Sequence, residues 1–428
     1  MAVLPKEINY AERLSSLPPN TSNLSVVVSP ANGQTFGAGG DVIQFDLPSR
    51  GYLVPESLYI RFKQTTTGAN ADPLLRGTPA YTPFARLETI IGGQVVESIQ
   101  QYNQLANILV NTKMSIAQKV GMAASLGYID NGGGVAPTFI NVDGATLAQT
   151  ADTAQDYAAP LGCLLSNAEH LVPLGMMPGC RIQLTTDSLT NMFVVPANTT
   201  AWALSNLELC FDVVDFGEEV NMAVMSMADE DGNIFIKSQS YTSASQNLPT
   251  GTGQTELVFN QRLSSIKSIL ANFAGGAANQ TNGIFDSVDV SRGSGDYQFL
   301  IASEQFPPRP LSVSQNKGGV YQELADTWSV AHDLYHSNMA ITPLQFAAID
   351  NTATTNTSPA KFYVGTNTER LSTNNALLTG VSSQLSPISL RVNLGATGSS
   401  QAHMTTLICL FDAIIAVNVG SRQASVKV

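Results

Sequence analysis

Charge is scarce in this sequence. Of 428 residues only 13% are Asp, Glu, Lys or Arg, about half the usual share of roughly 25%. A chain this large with so little charge is poorly equipped to stay dispersed as a monomer, so much of its surface is expected to be covered by neighbours. The charge that is present leans acidic: 21 basic against 33 acidic residues, a formal net charge of −12. No basic run occurs, and near the two ends Lys6, Arg13, Arg422 and Lys427 stand scattered. The electrostatic footprint of a phosphate-backbone binder is missing. Direct, sequence-specific nucleic-acid binding is therefore not expected.

Long apolar runs are missing too. The longest, LICLFDAIIAV (407–417), is too short to span a bilayer and is interrupted by Asp412. The stretch MAVLPKEINYAERLSSLPPN (1–20) lacks the apolar core of a secretory signal. Four cysteines, Cys163, Cys180, Cys210 and Cys409, lie far apart without CxxC or metal-site spacing. Cys210 and Cys409 sit inside apolar segments, where a thiol is usually a small buried hydrophobe. These features point to a protein made in the cytoplasm with reduced thiols. The sequons at Asn20, Asn23, Asn198, Asn279 and Asn356 then read as chance products of a Ser/Thr/Asn-rich chain.

What is there is β pattern. SLYIRFKQ (57–64) alternates, with Leu58, Ile60 and Phe62 on one face. RLETII-GG-QVVESI (86–99) reads as two strands joined by Gly92-Gly93, because tight hairpin turns need positive φ. A short amphipathic helix over 100–112 follows, with Tyr102, Leu105 and Leu109 at i, i+3, i+7. Residues 114–175 have little period and read as an elaborated loop region. RIQLTTDS (181–188) and LSNLELCFDVVDF (204–216) are strands again.

After MADEDGN (227–233) the grammar restarts. TELVFNQRLSSIKSIL (255–270) is β-rich, and IFDSVDV-SRGSG-DYQFLIA (284–302) reads as strand, Gly-rich turn and strand. A helix is expected over 319–330, with Tyr321, Leu324 and Trp328 at the spacing of Tyr102, Leu105 and Leu109. KFYVGTNTE (361–369) is expected in the place of RIQLTTDS. The hexapeptides YNQLAN (102–107) and YQELAD (321–326) match, and LELCFDVVD (207–215) returns as LICLFDAII (407–415) at an offset of 200. A period this long describes two copies of one β-domain rather than a solenoid. The expectation is an all-β chain of two tandem jelly-roll domains, each an eight-stranded antiparallel sandwich with short helices in its loops. The expected boundaries are an N-terminal arm at 1–24, a first domain at 25–228 and a second at 229–428.

Catalytic chemistry needs convergent titratable groups, and these are few. His332 and His336 in HDLYH stand at i, i+4, but the metalloprotease pattern needs Glu where Asp333 stands. His170 and His403 are isolated. Asp229-x-Asp231-Gly232-Asn233 lacks the distal Glu of a calcium loop, since position 240 is Ser. GQTFGAGGD (33–41) lacks the Lys and helix of a phosphate cradle, and PPRP (307–310) reads as a strand end. Glu218-Glu219 has no partner in view. No catalytic residue, no metal site and no cofactor are expected, and the chain reads as a non-enzyme.

The segments ARLETIIGGQVVESIQQYNQLANIL (85–109), QRLSSIKSILANF (261–273), FDSVDV (285–290), YQFLIASEQFPPRPL (297–311) and VYQELADTW (320–328) carry a resemblance. Over roughly residues 30–420, and in the right order, they are similar to the double jelly-roll major capsid proteins of the adenovirus–tectivirus lineage, with its polinton-like viruses and virophages. That resemblance implies a virion protein that forms homotrimers, pseudo-hexameric capsomers and an icosahedral shell. The implied partners are the chain itself, penton and minor capsid proteins, and an internal membrane. The alternative is a tandem β-sandwich that binds carbohydrate or acts as an adhesin. It would want exposed loop aromatics, whereas aromatics are 7% here; Trp202 reads as preceding a strand and Trp328 as part of the helix stripe. A cupin-type enzyme would want a His-rich metal set within one strand pair.

Overall fold

The computed structural model describes residues 21–427 except 38, 69–76, 128–153, 178, 193–198, 275–284, 286, 303, 329–338, 348–359, 371–377, 397 and 400–401. Eight strands build the first half: Ser22–Val28, Val42–Asp46, Tyr59–Gly68, Phe84–Ile91, Gln94–Gln100, Ala154–Pro160, Arg181–Thr186 and Thr199–Asp215. Counted in that order, strands 1-8-3-6 form one sheet and 2-7-4-5 the other. Eight more build the second half: Asn233–Leu248, Gln254–Phe259, Ile266–Ala274, Asp296–Ile301, Glu304–Ser312, Tyr363–Asn367, Ile388–Asn393 and His403–Asn418. They pair in the same two orders, 1-8-3-6 and 2-7-4-5. Every pairing between these strands is antiparallel. Short strands at Thr35–Gly37, Tyr52–Leu53, Val172–Pro173 and Gln423–Lys427 extend the sheets that hold the two long strands. This strand order is a jelly roll, written twice.

Side-chain alternation explains the two layers. In 181–186, Ile182, Leu184 and Thr186 point inward while their neighbours are half exposed. Leu58, Ile60 and Phe62 are buried on one face, as the alternation requires. The repeated Phe-Asp pair ends up on equivalent strands: Phe211 pairs with Val26, and Phe411 with Ser240. The backbone N–H of Asp212 donates to Ser57 Oγ at 2.8 Å, and that of Asp412 to Ser265 O at 3.0 Å. Both aspartates thus hold the chain just before the third strand. The Asp212 carboxylate also accepts from Ser25 Oγ at 2.6 Å, and that of Asp412 from Ser265 Oγ at 2.7 Å. Tyr102 and Tyr321 likewise lie on the helices that follow the fifth strands, Tyr102–Lys113 and Val313–Asp326.

Several local expectations are corrected. The equivalent of 181–186 is 388–393, because 363–367 pairs with 266–274 in the other sheet. The second-half counterpart of the 84–100 hairpin is 296–312, not 284–302. Gly-rich 291–295 is instead a loop wrapped on the buried Asp289 carboxylate, which accepts from the N–H of Ser291 and Gly293, from Ser291 Oγ and from Tyr297 OH. PPRP does not end a strand: its prolines lie within 304–312, where the register shifts between Tyr297–Leu311 and Phe299–Phe306. That strand pairs on one side only, as an edge tolerant of proline requires. The second helix starts earlier than expected, at Val313, and is broken at Asn316 (φ −151°, ψ 71°). Trp328 lies past its end in a turn, and Trp202 lies inside the strand 199–215.

Candidate functional site: the seam between two sandwiches

The helix Tyr102–Lys113 is buried around its whole circumference, with ten of twelve residues buried. An amphipathic helix on one sandwich would leave a wet face. Here the second half covers that face, so the helix lies in a seam. Its polar side chains are used across it. Asn107 Nδ2 donates to Phe285 O at 3.4 Å, Asn111 O accepts from Ala340 N at 2.9 Å, and Asn111 Oδ1 accepts from Lys361 Nζ at 3.0 Å. Lys113 Nζ donates to Tyr241 OH at 2.7 Å and sits 5.3 Å from the Tyr241 ring centre and 4.6 Å from that of Trp328. This aromatic pair lies under a cation at the exposed end of the helix.

Beside the helix, strand 94–100 and the loop after strand 154–160 face strand 233–248. Glu97 is the centre of that contact. Its carboxylate accepts from Thr89 Oγ1 at 2.7 Å, from the N–H of Leu164 at 2.9 Å, and from Ser240 Oγ of the second half. Burial pushes the Glu97 carboxyl above its ordinary range, and the three donors pull it back only in part. Burial, followed by the nearby Glu97 charge, pushes the Cys163 thiol up to about 12. Ser238 Oγ donates to Leu164 O at 2.6 Å, Asn167 Nδ2 to Gln239 O at 3.1 Å, and Glu169 N to Lys237 O at 3.0 Å. The Lys237–Glu169 ion pair, at 3.1 Å, closes the row. Buried polar contacts so fully used fix an orientation more than they add affinity.

Residues weighed for chemistry from the sequence do not converge. His332 and His336 lie outside the described residues. His170 is exposed, and buried His403 places Nδ1 3.0 Å from Ala274 O. Asp229 Oδ1 accepts from the N–H of Asp231 and Asn233, which makes 229–233 a closed polar turn. Glu218 and Glu219 lie in the first turn of the helix Glu218–Ser226, where a negative charge meets the positive helix end. Among the described residues, no group of three His, Cys, Asp or Glu side chains is placed to hold a metal ion. All four cysteines are buried free thiols. Burial pushes Cys180 and Cys409 up to about 12 as well, away from reactive thiolate chemistry. A cleft of about 870 Å³ on the first sandwich is lined by Arg61, Lys63, Asp156 and Glu208. Its charges pair among themselves, Arg61 with Glu208 and Lys63 with Asp156, so it presents little net field to a ligand. No described helix is long and apolar enough to cross a membrane.

No protein-family model matches the chain, and no curated protein matches it in sequence. Solved structures do match in shape. The chain of the PBCV-1 virus capsid superposes with a TM-score of 0.61 at 11% identity, over 96% of this chain and 97% of that one. The Faustovirus major capsid protein gives 0.62 at 9% identity, over 94% and 91%. The mavirus major capsid protein gives 0.52 at 11% identity, over 100% and 95%. The fold is the double jelly roll of these capsid proteins. In a double jelly roll of this kind the seam does the positioning, since it sets how two similar sandwiches stand relative to each other. Sequence reasoning missed it. Glu97 shares the inward face of its strand with Ile99, and an acid on an apolar face was the available signal.

Proposed function

We propose that this chain is a viral major capsid protein, which homotrimerises into pseudo-hexameric capsomers that tile an icosahedral shell. The observation that carries the reading is the end-to-end match of a twice-written jelly roll to major capsid proteins at TM-scores above 0.5. Two like sandwiches per chain give three chains six similar flanks, which suits a closed ring. The 13% charge content suits flanks covered by further copies. In this reading the chain has no catalytic role. It is made in the host cytoplasm, resides in the virion, and meets penton and minor capsid proteins and an internal membrane. The proposed division is an arm at 1–24, facing inward or towards a neighbour, a first domain at 25–228 and a second at 229–428. Light scattering on the purified protein tests it: a 45.3 kDa chain should give a particle of about 136 kDa, or larger shells. Electron micrographs should show hexagonal outlines. A stable monomer over a wide range of protein concentration and salt overturns the reading.

A further inference from the structure

Near the end of the buried helix 102–113, two lysines meet on one asparagine. Lys119 Nζ donates to Asn111 Oδ1 at 2.9 Å, and Lys361 Nζ, from the second half, donates to the same oxygen at 3.0 Å. Asn111, Lys119 and Lys361 are 1%, 1% and 4% exposed. Asn111 Nδ2 is buried and has no hydrogen-bond partner among the described residues. A purely structural asparagine uses its NH2 group, because a buried donor left unmet is costly. Here the carbonyl end of the amide is used twice and the amino end is not.

The backbone around these side chains is pinned. Asn111 O accepts from Ala340 N at 2.9 Å. Lys361 N donates to Gln345 O at 3.0 Å, and the N–H of the next residue, Phe362, donates to Ser287 O at 2.9 Å. Lys119 lies in the helix Ile116–Gly121, whose start is capped by Ser115 and Gln118. An amine at hydrogen-bond distance from Oδ1 lies about 4 Å or less from the carbonyl carbon Cγ, near the ~3–3.5 Å of an attack geometry. Of the two amines, Lys361 has its backbone held on both sides, so it is the better placed to keep that geometry.

We propose that Lys361 and Asn111 are joined by an isopeptide bond, formed by the folded chain itself, which ties the two sandwiches covalently across the seam. The Lys361 Nζ lone pair attacks Asn111 Cγ, the Nζ–Cγ bond forms and the Cγ–Nδ2 bond breaks. Nζ keeps one proton, as the amide N–H, and those it sheds leave on Nδ2 as an ammonium ion. No oxidant, reductant or further reactant enters. The Lys119 Nζ–H donated to Oδ1 stabilises the negative charge that this oxygen gains in the tetrahedral intermediate. The product removes a buried charge and an unmet buried donor together, which favours it over the starting pair. Exclusion of water protects the new amide from hydrolysis. The bond lies within one chain and links residues 250 apart, so it stands or falls separately from the capsid reading.

Intact-mass spectrometry of the full, denatured chain tests the bond. The wild type is expected to be lighter than its sequence by one ammonia, and its digest to hold a branched peptide joining Asn111 to Lys361. Lys361→Arg and Asn111→Ala are expected to have the full sequence mass, and Asn111→Asp to lose one water instead. Lys119→Met is expected to lower the joined fraction in freshly made protein at least about tenfold. Circular dichroism checks that each variant is folded, and the wild-type mass decides even where a variant folds poorly. A wild type at full sequence mass overturns the proposal. So does a branched peptide joining Asn111 to Lys119, since the link then lies within the first half. An undiminished joined fraction in Lys119→Met overturns the part assigned to Lys119.

Discussion

At the scale of single residues, Glu97 has the most legible chemistry. It faces Thr89, Leu164 and Ser240, and the titratable groups near it are Tyr102 and Cys163, both of which burial holds neutral. Burial raises its folded-state pKa above the ordinary 4.5. Between those values the folded chain keeps a proton that the unfolded chain releases, so stability falls as pH rises. The contribution is full below about pH 4.5 and lost once the pH passes the raised value. Glu97→Gln has no such ionisation. The melting temperature of the wild type minus that of Glu97→Gln is therefore expected to shrink as pH climbs from 4.5 towards neutral; a difference constant with pH would contradict the burial argument. Glu97→Ala leaves three buried donors unmet and is expected to cost about 3 kcal/mol in urea unfolding. The one signal in the sequence, Glu97 on the face of Ile99, was weak, because an acid in QVVESIQ reads equally well as the wet side of a hairpin.

At the scale of elements, legibility depended on whether a backbone signal or a tertiary contact set the structure. Gly92 and Gly93 have φ of +58° and +81°, as a two-residue turn with right-handed strand twist demands. A Cβ at either position meets nothing within 4 Å, so substitution there is opposed by the backbone alone. Gly93→Val is expected to cost about 1–2 kcal/mol, while Gly92→Asn is close to neutral, both read from urea unfolding. Gly51→Ala should cost more than the backbone term, since with φ of +72° its Cβ would lie 2.4 Å from Val213 Cγ1. The Gly-rich stretch 291–295 misled for the opposite reason. There the buried Asp289 side chain organises the loop, and no short-range pattern announces it. Both 181–186 and 363–367 read as strands, yet a strand pattern alone does not say to which of two sheets a strand belongs, and 363–367 is buried on both faces.

At the scale of the whole molecule, the duplication was readable because apolar spacing survives in equivalent strands, whereas the seam was not. Its contacts are made by Ser, Asn, Lys and Glu side chains that follow no period, as with Ser238, Asn111, Lys113 and Glu97. Those contacts predict how the chain unfolds. Opening the seam would expose the buried helix 102–113 and leave Glu97 without Ser240 and Lys113 without its aromatic pair. Neither half can lose its partner without that cost, which exceeds what a loosely tethered pair of domains would feel. Scanning calorimetry of the wild type is therefore expected to show one transition with matching calorimetric and van't Hoff enthalpies. It should be run at two protein concentrations, so that assembly is separated from unfolding. Ser240→Val combined with Tyr241→Phe removes a donor from Glu97 and the hydrogen-bond partner of Lys113 while leaving the ring at 241 in the core. That variant is expected to split the trace into two transitions. A wild type that already melts in two steps would show that the halves are only neighbours, and a single transition in the double variant would place the coupling elsewhere along the helix.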